Sequence, residues 1–306
     1  MRHGVLLTCK PDACTSFDVV KRLRRRLRPL KVGHTGTLDP MATGLLPLAI
    51  GEATKLTRFL QQDPKRYRAR IRLGLATDTL DRQGRETARC PVPPFDLARL
   101  EEICARFRGP IEQVPPMYSA LHFQGHRLHE LARSGIEVER APRRVHIHEL
   151  AILDHGPDFI ELDIFCSAGT YVRSLAIDIA GALGTAGHLE SLCRTAASGW
   201  KLQAAHGLSE LESLDPPALE ERIIPLLEVL ERFERIDVDE DLGRRLASGQ
   251  HPDWTLLTRL GVQADSERLV WFHPPASRPL VLARLLPGDD PAIEILRVLH
   301  PLRQPA

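Results

Sequence analysis

The sequence is poor in aromatic residues, has no clustered cysteines and contains no long apolar run. Aromatic residues make up 5% of the chain, with only three tyrosines. The six cysteines are scattered without a Cys-x-x-Cys pair, which argues against a zinc site. The apolar stretch at residues 5–7 is too short for a signal peptide or a membrane span. We therefore expect a cytoplasmic protein with free thiols, without a metal and without a membrane partner.

Length and composition indicate an ordinary globular protein. The 306 residues exceed the usual size of one domain and predict a large domain followed by a smaller one. Apolar residues make up 43% and charged residues 26%, which argues against disorder or a fibrous architecture. Glycine-rich loops of the Gly-x-Gly-x-x-Gly or Walker type are absent from the sequence, which disfavours a nucleotide-binding site.

The formal net charge of +1 hides a strongly uneven distribution of charge. One basic run contains Lys21, Arg22, Arg24, Arg25, Arg26, Arg28 and Lys31, and a second contains Lys65, Arg66, Arg68, Arg70 and Arg72. An acidic belt follows between Ser209 and Asp241. A single charge run is commonly a solvated helix face. Two basic runs beside an acidic belt favour surfaces that neutralise the phosphates of a nucleic acid.

The apolar patterns predict strands and helices without regular alternation. Residues 4–8 read as a strand, and Ser16 is expected to cap a helix whose apolar face includes Phe17, Val20, Leu23 and Leu27 and which ends at Pro29. Residues 68–73 and 159–165 alternate as half-buried strands do. A further helix is expected to start just after Thr170 and to extend to about Leu183, and short strands are expected after about residue 237. This order favours an α+β fold over a doubly wound one.

Residues 31–55 are rich in glycine, threonine and proline but too apolar for a solvated linker. We expect a buried, ordered loop, the kind of segment that carries functional side chains on a rigid scaffold. Its sharpest feature is Gly33-His34-Thr35-Gly36-Thr37-Leu38-Asp39-Pro40. Pro40 favours an extended backbone at Asp39, so the carboxylate can project from a fixed loop. An Asp-Pro pair also begins plain turns, and the segment alone does not decide between the two.

Two other residues favour a functional role for Asp39 over a plain turn. Tyr67 stands before the arginine-rich strand and can offer a ring on which a base stacks, although composition alone favours a core tyrosine. Arg173 lies in the first turn of the helix that is expected to start just after Thr170. A buried arginine needs a carboxylate partner, and an arginine beside Asp39 would hold it ionised. The alternative for Arg173 is a weak ion pair on the surface.

Several motifs together resemble the TruB family of tRNA pseudouridine synthases. The resemblance extends from about residue 4 to about residue 200 and is strongest across residues 31–55. The motifs that accompany this segment are Lys10-Pro11 with Thr15-Ser16, Tyr67 with Leu73-Gly74, Thr77-Asp78-Thr79 with Asp81, Pro115 to Leu121, and Gly169 to Leu175.

The resemblance implies a fold, a domain division and roles for particular residues. The fold would be a mixed central sheet with flanking helices in residues 1–235, with a thumb-like insertion at about 115–145, followed by a small β-rich, PUA-like RNA-binding domain in residues 236–306. The implied catalytic residues are Asp39, Tyr67, which would stack on the flipped uracil, and Arg173, which would pair with Asp39. The residues implied to contact the uracil or the RNA are His34, Lys10, Tyr171, Leu192, Arg140, Arg143 and Arg144.

The implied reaction converts uridine 55 in the T loop of tRNA to pseudouridine without a cofactor. The bond from ribose C1′ to uracil N1 is cleaved, the base turns, and C1′ rejoins the base at C5. A carboxylate that is ionised at neutral pH suffices, either as a nucleophile or to stabilise a sugar cation, and no metal is required. The base must first leave its stack, which costs a few kcal/mol. The implied partner is the T arm of tRNA, bound by a monomer.

Two alternatives remain open from the sequence. A guide-dependent synthase of the H/ACA type shares the catalytic aspartate but acts within an RNA–protein particle. The compact length and the thumb-like insertion favour the stand-alone enzyme. A catalytically silent RNA-binding chaperone is the second alternative. The presence of Asp39, Tyr67 and Arg173 together argues against pure loss of catalysis, although a role in tRNA folding can coexist with activity.

Overall fold

The computed structural model describes residues 2–119, 122–123, 125–263, 265–275, 279–288 and 292–300. It confirms the α+β prediction. The strands are β1 Gly4–Lys10, β2 Val32–His34, β3 Thr43–Ile50, β4 Lys65–Leu73, β5 Leu75–Thr77, β6 Glu86–Arg89, β7 Gly109–Gln113, β8 His122–Phe123, β9 His126–Arg127, β10 Arg143–Gly156, β11 Phe159–Cys166, β12 Gly187–Ala197, β13 Trp200–Lys201, β14 His206–Gly207, β15 Ile223–Pro225, β16 Glu234–Asp237, β17 Arg268–His273, β18 Leu280–Leu286 and β19 Ala292–Leu299. The α-helices are α1 Ser16–Arg26, α2 Thr57–Leu60, α3 Leu97–Ala105, α4 Leu128–Arg133, α5 Val172–Ala182, α6 Leu208–Ser213, α7 Pro216–Glu221, α8 Leu226–Leu230, α9 Glu240–Ala247 and α10 Trp254–Arg259, with short 3-10 helices at Gly51–Leu56 and Leu202–Ala204.

An eleven-stranded mixed sheet forms the centre of the molecule. Its path runs β14-β1-β3-β12-β4-β11-β10-β7, and β15, β2 and β13 pair with β1, β3 and β12 respectively. Most neighbours are antiparallel, whereas β1 with β14 and β3 with β12 are parallel. Strand β4 lies between β11 and β12, so that Tyr67 stands opposite Ile164 on one side and Arg194 on the other. This register places Tyr67 in the interior of the sheet.

Both faces of the sheet are covered, and this explains why some strands are apolar without alternation. Leu6 and Leu46 pack on one face with helices α1 and α5, in the same core as Tyr67. Val5 and Leu45 pack on the opposite face, in a core that also contains Trp271. Strands covered on both sides are expected to read as continuous apolar runs. The site described below lies on the α1 and α5 side.

A second, four-stranded sheet has the order β16-β17-β18-β19. Trp271 of β17 and Leu280 and Leu282 of β18 pack against the central sheet. The other side of the small sheet packs on helices α9 and α10 through Leu246 and Leu257. The short strands expected after residue 237 are therefore present, and the first strand of this sheet already begins at Glu234.

Three local predictions were wrong in detail. Thr15, not Ser16, caps α1, since the Thr15 side chain accepts a hydrogen bond from the backbone of Asp18. Val20, Leu23 and Leu27 are buried as expected, but Phe17 is 66% exposed and Val19 is buried with them in its place. The helix ends at Arg26, before Pro29 is reached.

The segment at residues 31–55 is buried and ordered as expected, but little of it is loop. It forms the strands β2 and β3 and the 3-10 helix at Gly51–Leu56, and only residues 35–42 form a loop. The glycine- and proline-rich composition concealed the strands, because Gly44 and Pro47 lie within β3. The central position of β3 between β1 and β12 fixes both ends of the short loop that carries Asp39.

The second basic run does not form a free basic surface. Its arginines alternate along one face of β4 and pair with carboxylates on the neighbouring segments, namely Arg66 with Glu149 and Asp163, Arg68 with Glu161, Arg70 with Glu190, and Arg72 with Asp158. Lys65 is buried. The charge of this run is therefore neutralised within the protein, which the sequence could not reveal because each partner lies far away along the chain.

Candidate active site

A cavity of about 340 Å³ opens where the loop after β2, the strands β4 and β12 and the start of α5 meet. It is lined by Gly36, Thr37, Leu38, Asp39, Gln61, Lys65, Tyr67, Ser119, Ser167, Gly169, Thr170, Tyr171, Val172, Arg173, Leu192 and Arg194. Its volume lies in the range of small-molecule sites, which is about 300–1,000 Å³. The structure thus brings together five of the ten residues that the sequence singles out: Asp39, Tyr67, Tyr171, Arg173 and Leu192.

Asp39 is held by a loop that is fixed on both sides. The Ser16 hydroxyl of α1 accepts a hydrogen bond from the Leu38 amide at 2.8 Å and donates to the Leu38 carbonyl at 3.1 Å. Behind Asp39, the Lys10 ammonium donates to the carbonyl of Pro40 at 3.0 Å. The Ala42 amide donates to the Asp39 carbonyl at 3.0 Å and closes the turn. These contacts leave the carboxylate side chain free to project into the cavity.

Arg173 binds the Asp39 carboxylate in a two-pronged ion pair. Nε of Arg173 lies 2.9 Å from Oδ2 of Asp39, and Nη2 donates to Oδ1 at 3.0 Å. The guanidinium also donates to the carbonyls of Thr79 at 3.0 Å and Tyr118 at 2.8 Å. Arg173 is 4% exposed, so its charge is held inside the protein by these partners. The surface ion pair considered above is thereby excluded, and the orientation of the carboxylate is fixed.

Burial and the arginine act in opposite directions on the Asp39 carboxyl. Burial raises the pKa of Asp39 above its ordinary value, the Arg173 charge lowers it, and the charge of Asp81 raises it again. The net direction is upward. The Asp39 side chain nevertheless keeps 31% of its surface exposed through the cavity mouth, so a substrate can reach it. The arginine therefore orients the carboxylate and partly offsets the cost of burying its charge.

Tyr67, Tyr171 and Leu192 form the flat and apolar walls of the cavity. Tyr67 is 8% exposed, and burial raises the pKa of its hydroxyl, which also hydrogen-bonds to Arg194. Tyr171 precedes α5, where its backbone amide donates to the Gln113 side chain at 2.7 Å. Leu192 reaches the cavity from β12 and is 6% exposed. A planar base can lie between such walls, because aromatic rings stack on any nucleobase.

His34 does not line the cavity. It ends β2, and its Nδ1 accepts a hydrogen bond from the Gly36 amide at 3.3 Å. Burial, assisted by the charge of Arg194, lowers the pKa of the imidazole, so the ring is neutral at physiological pH. The His34 ring therefore carries no charge into the site.

Lys10 is placed differently from a residue that contacts RNA. It is 0% exposed, and its ammonium donates to three backbone carbonyls, those of Pro11, Cys14 and Pro40. Burial lowers the pKa of the ammonium. Lys10 therefore joins the start of α1 to the loop that carries Asp39. The geometry supports a positioning role, and an RNA-binding role for Lys10 has no surface from which to act.

Replacing Lys10 by methionine should therefore destabilise the protein. We expect the free energy of unfolding to fall by about 1–3 kcal/mol, because buried carbonyls lose their donor. Chemical denaturation measures this change. The dependence of RNA affinity on salt should match that of Lys201→Met, which alters an exposed lysine. A stable Lys10→Met protein with a weaker salt dependence would instead assign Lys10 to a phosphate contact.

The three arginines of the thumb-like segment lie outside the cavity. Arg140 lines a separate depression together with Glu137, from which it is 3.5 Å away. Arg143 and Arg144 begin β10 and are exposed. Of the motif at residues 115–121, residues 120 and 121 lie outside the described residues. Arg143 and Arg144 are therefore exposed, but neither lines the cavity with Asp39.

Two cavity residues, Arg194 and Lys65, were not assigned a role from the sequence. Arg194 is 1% exposed and donates to the carbonyls of Leu45 at 2.8 Å and Gly36 at 3.1 Å, so it supports the Asp39 loop from β12. Burial lowers the pKa of Lys65 to about 8, assisted by the Arg194 charge. Both residues occupy inward positions of strands, where a charged residue interrupts an apolar pattern. That interruption is the signal by which they could have been found.

Among the residues that the structure describes, no cluster of histidine, cysteine, aspartate or glutamate has the arrangement of a metal site. Within the same residues, no helix is long and apolar enough to cross a membrane. The six cysteines are all free. The polar groups that line the cavity include the Asp39 carboxylate, the guanidinium groups of Arg173 and Arg194, and the Lys65 ammonium.

Comparison with known proteins identifies the family. Residues 24–172 match the model of the TruB family pseudouridylate synthase N-terminal domain. The tRNA pseudouridine synthase B of Chromobacterium violaceum is 46% identical over 248 residues, which cover 80% of this chain and 81% of the relative. The protein of the same name from Hydrogenovibrio crunogenus is 40% identical over 276 residues, which cover 90% of this chain and 87% of that relative.

Solved structures share the fold at lower identity. A Cbf5-Nop10-Gar1 complex contains a chain with a TM-score of 0.72 and 22% identity, covering 97% of this chain and 85% of that one. The archaeal box H/ACA sRNP Nop10-Cbf5 complex contains a chain with a TM-score of 0.69 and 20% identity. The match covers 98% of this chain and 86% of that one. These likenesses extend over both sheets and concern the fold. On the sequence relationships, the chain belongs to the TruB family of pseudouridylate synthases.

Proposed function

We propose that this protein isomerises uridine 55 in the T loop of tRNA to pseudouridine, as a monomer in the cytoplasm and without a guide RNA. The observation that carries the proposal is the Asp39 carboxylate, held by Arg173 at the edge of a base-sized cavity walled by Tyr67. Relatives that are 40–46% identical to it over 80–90% of its length are named tRNA pseudouridine synthase B. The chain spans more than four fifths of these relatives.

The reaction makes few demands on the protein. The bond between C1′ and N1 breaks, the free base turns in the cavity, and C1′ bonds to C5, which then loses its hydrogen as N1 gains one. Asp39 can attack as a nucleophile, stabilise a sugar cation or remove a sugar proton, and each route uses the same ionised carboxylate. Tyr67 and Leu192 would hold the base while it turns. Atoms and electrons balance without a cofactor.

The base must leave the RNA stack before Asp39 can reach the sugar. Eversion costs a few kcal/mol, which contacts to the rest of the RNA offset. We assign these contacts to His34 at the rim and to Arg143 and Arg144 at the thumb-like segment of residues 115–145, with Arg140 beside them. The domain division at residue 235, with a PUA-like RNA-binding part after it, belongs to the same proposal. Shape and exposed loop nucleotides would provide specificity.

The purified chain with a tRNA transcript tests the proposed function. We expect pseudouridine at position 55 of the tRNA and of a T-arm hairpin when no other RNA or protein is present. Carbodiimide adducts of pseudouridine stop reverse transcription and locate the product. A transcript with cytidine at position 55 is the control and should remain unmodified. Product that forms only with an added guide RNA would favour the H/ACA-type alternative, and binding without product would favour the chaperone.

The raised pKa of Asp39 predicts the pH dependence of the reaction. Asp39 must be ionised to act, so activity should fall as the pH drops through its pKa. Because burial raises that pKa, the fall should begin at a higher pH than for an ordinary aspartate, whose pKa is about 3.9. Single-turnover rates between pH 4 and pH 8 measure the profile, with circular dichroism to verify folding. A rate that stays constant to about pH 4 would contradict the raised pKa.

A further inference from the structure

The first basic run differs from the second in having free charges. On α1, Arg22 pairs with Glu212 and Arg26 donates to the Leu214 carbonyl, so these two arginines tie the helix to α6. Lys21, Arg24 and Arg25 are exposed and form no ion pair with any residue that the structure describes. The charges of Lys21, Arg24 and Arg25 are therefore available to another molecule.

The free basic residues share a helix face with an exposed aromatic ring. Residues spaced by four and seven lie on one face of a helix, so Phe17, Lys21 and Arg24 form a line, with Arg25 beside it. Phe17 is 66% exposed, whereas Val19, Val20 and Leu23 of the same helix are buried. One exposed apolar residue is ordinary by itself. Proteins bind single-stranded RNA with surfaces that combine exposed rings and unpaired cations, since bases stack on the rings and phosphates bind the cations.

The helix that carries this face begins next to the loop that holds Asp39. Ser16, beside Phe17, is hydrogen-bonded to Leu38, the residue before Asp39. The eleven residues of α1 extend away from that point for about 16 Å, enough to follow several phosphates. A depression of about 450 Å³ beside the helix is lined by Lys21 and Arg25. Its acidic members are already engaged, since Asp12 pairs with Arg82 and Asp18 with the Thr15 cap.

Building on the proposed function, we propose that this face of α1 binds the substrate RNA directly beside the everted uridine. Lys21, Arg24 and Arg25 contact the phosphates of one strand, and Phe17 stacks on an unpaired base of that strand. The face is therefore part of the RNA-binding surface, and its position at the end of the Asp39 loop couples strand docking to placement of the target sugar.

A double substitution tests the phosphate contacts. Lys21→Gln with Arg24→Gln should weaken binding to a tRNA transcript about tenfold at physiological salt and reduce the slope of log Kd against log salt by about 1.5, since each lost phosphate contact removes about 0.7–0.9. The matched control is Arg106→Gln with Arg222→Gln, which removes two exposed arginines without an ion pair to described residues. The control should keep the affinity and the slope of the wild type.

Phe17→Ala tests the stacking contact. Loss of stacking should weaken RNA binding at least fivefold without changing the salt slope, because no charge is removed. Leu97→Ala is the control, since Leu97 is 54% exposed in the first turn of α3. We expect the control to bind as the wild type does.

The two proposals fail in different ways. Wild-type affinity and slope in the double variant, while the wild type forms pseudouridine, would overturn the α1 proposal alone and leave the proposed function intact. Equal losses of RNA affinity in the double variant and in its control would also overturn the α1 proposal. Such a result would mean that binding depends on the total charge of the protein and not on this face. A wild-type chain that neither binds tRNA nor forms pseudouridine would overturn both proposals.

Discussion

Replacing Asp39 by asparagine should abolish pseudouridine formation while RNA binding persists. Asparagine keeps the shape of the side chain and can still hydrogen-bond to Arg173, but it provides neither a nucleophile nor a base. Loss of such a group commonly lowers the reaction rate by more than about a thousandfold, and we expect a decrease of this size in the rate of pseudouridine formation. Release of tritium from tRNA labelled at C5 of uracil measures the reaction, because bond formation at C5 expels that hydrogen.

The control for this result is Asp178→Asn. Asp178 is an exposed carboxylate on α5, the helix that also carries Arg173. Its substitution should leave tritium release near the wild-type rate. Substantial turnover by Asp39→Asn would mean that another group performs the chemistry, and the role given to the Arg173-bound carboxylate would be wrong.

The second large effect is expected from Arg173→Met. The substitution leaves Asp39 without its ion pair and the carbonyls of Thr79 and Tyr118 without a donor. Removing one partner of a buried pair costs about 3–5 kcal/mol. Because Asp39 is 31% exposed, solvent can stabilise its charge, and we expect a loss of about 2 kcal/mol in the free energy of unfolding. Activity should fall at least about a hundredfold, since the carboxylate loses its orientation.

The pH profile separates this role from a merely structural one. Arg173 lowers the pKa of Asp39 against the effect of burial, so its removal should raise that pKa further and move the acid limb of the rate to higher pH. Arg173→Lys keeps a positive charge but not the planar fork and should recover part of the shift. Arg72→Met, which breaks an exposed pair with Asp158, is the control and should change stability by less than about 1 kcal/mol. An unshifted acid limb in a folded Arg173→Met protein would contradict the electrostatic role.

The α+β class and the positions of many elements could be predicted from local patterns. The alternation in β4 and β11 and the apolar face of α5 appear in the sequence because each reports burial of nearby residues. The strands β2 and β3 were missed, since their glycines and proline conform to a strand only between β1 and β12. Phe17 was assigned to the core from its spacing alone, although Val19 occupies that face.

The residues of the site could likewise be predicted where a local motif marks them, but not where their placement depends on distant segments. Asp39, Tyr67 and Arg173 could be selected from their motifs, but that they line one cavity depends on pairings between distant strands. The burial of Lys10 could not be predicted, because nothing in a sequence distinguishes a lysine that binds carbonyls inside the protein from one that faces a phosphate. The basic run of β4 was predicted to be a free basic surface, because the sequence does not show that carboxylates from other segments neutralise it.

A structure of the Asp39→Asn protein bound to a T-arm hairpin gives the most direct view of the central claim. We predict a single uridine turned out of the loop, with its uracil against the ring of Tyr67 and its C1′ next to the side chain at position 39. A hairpin bound with all its bases stacked, or with its everted base at a distance from Tyr67, would contradict the claim that this cavity is where the glycosidic bond is broken and remade.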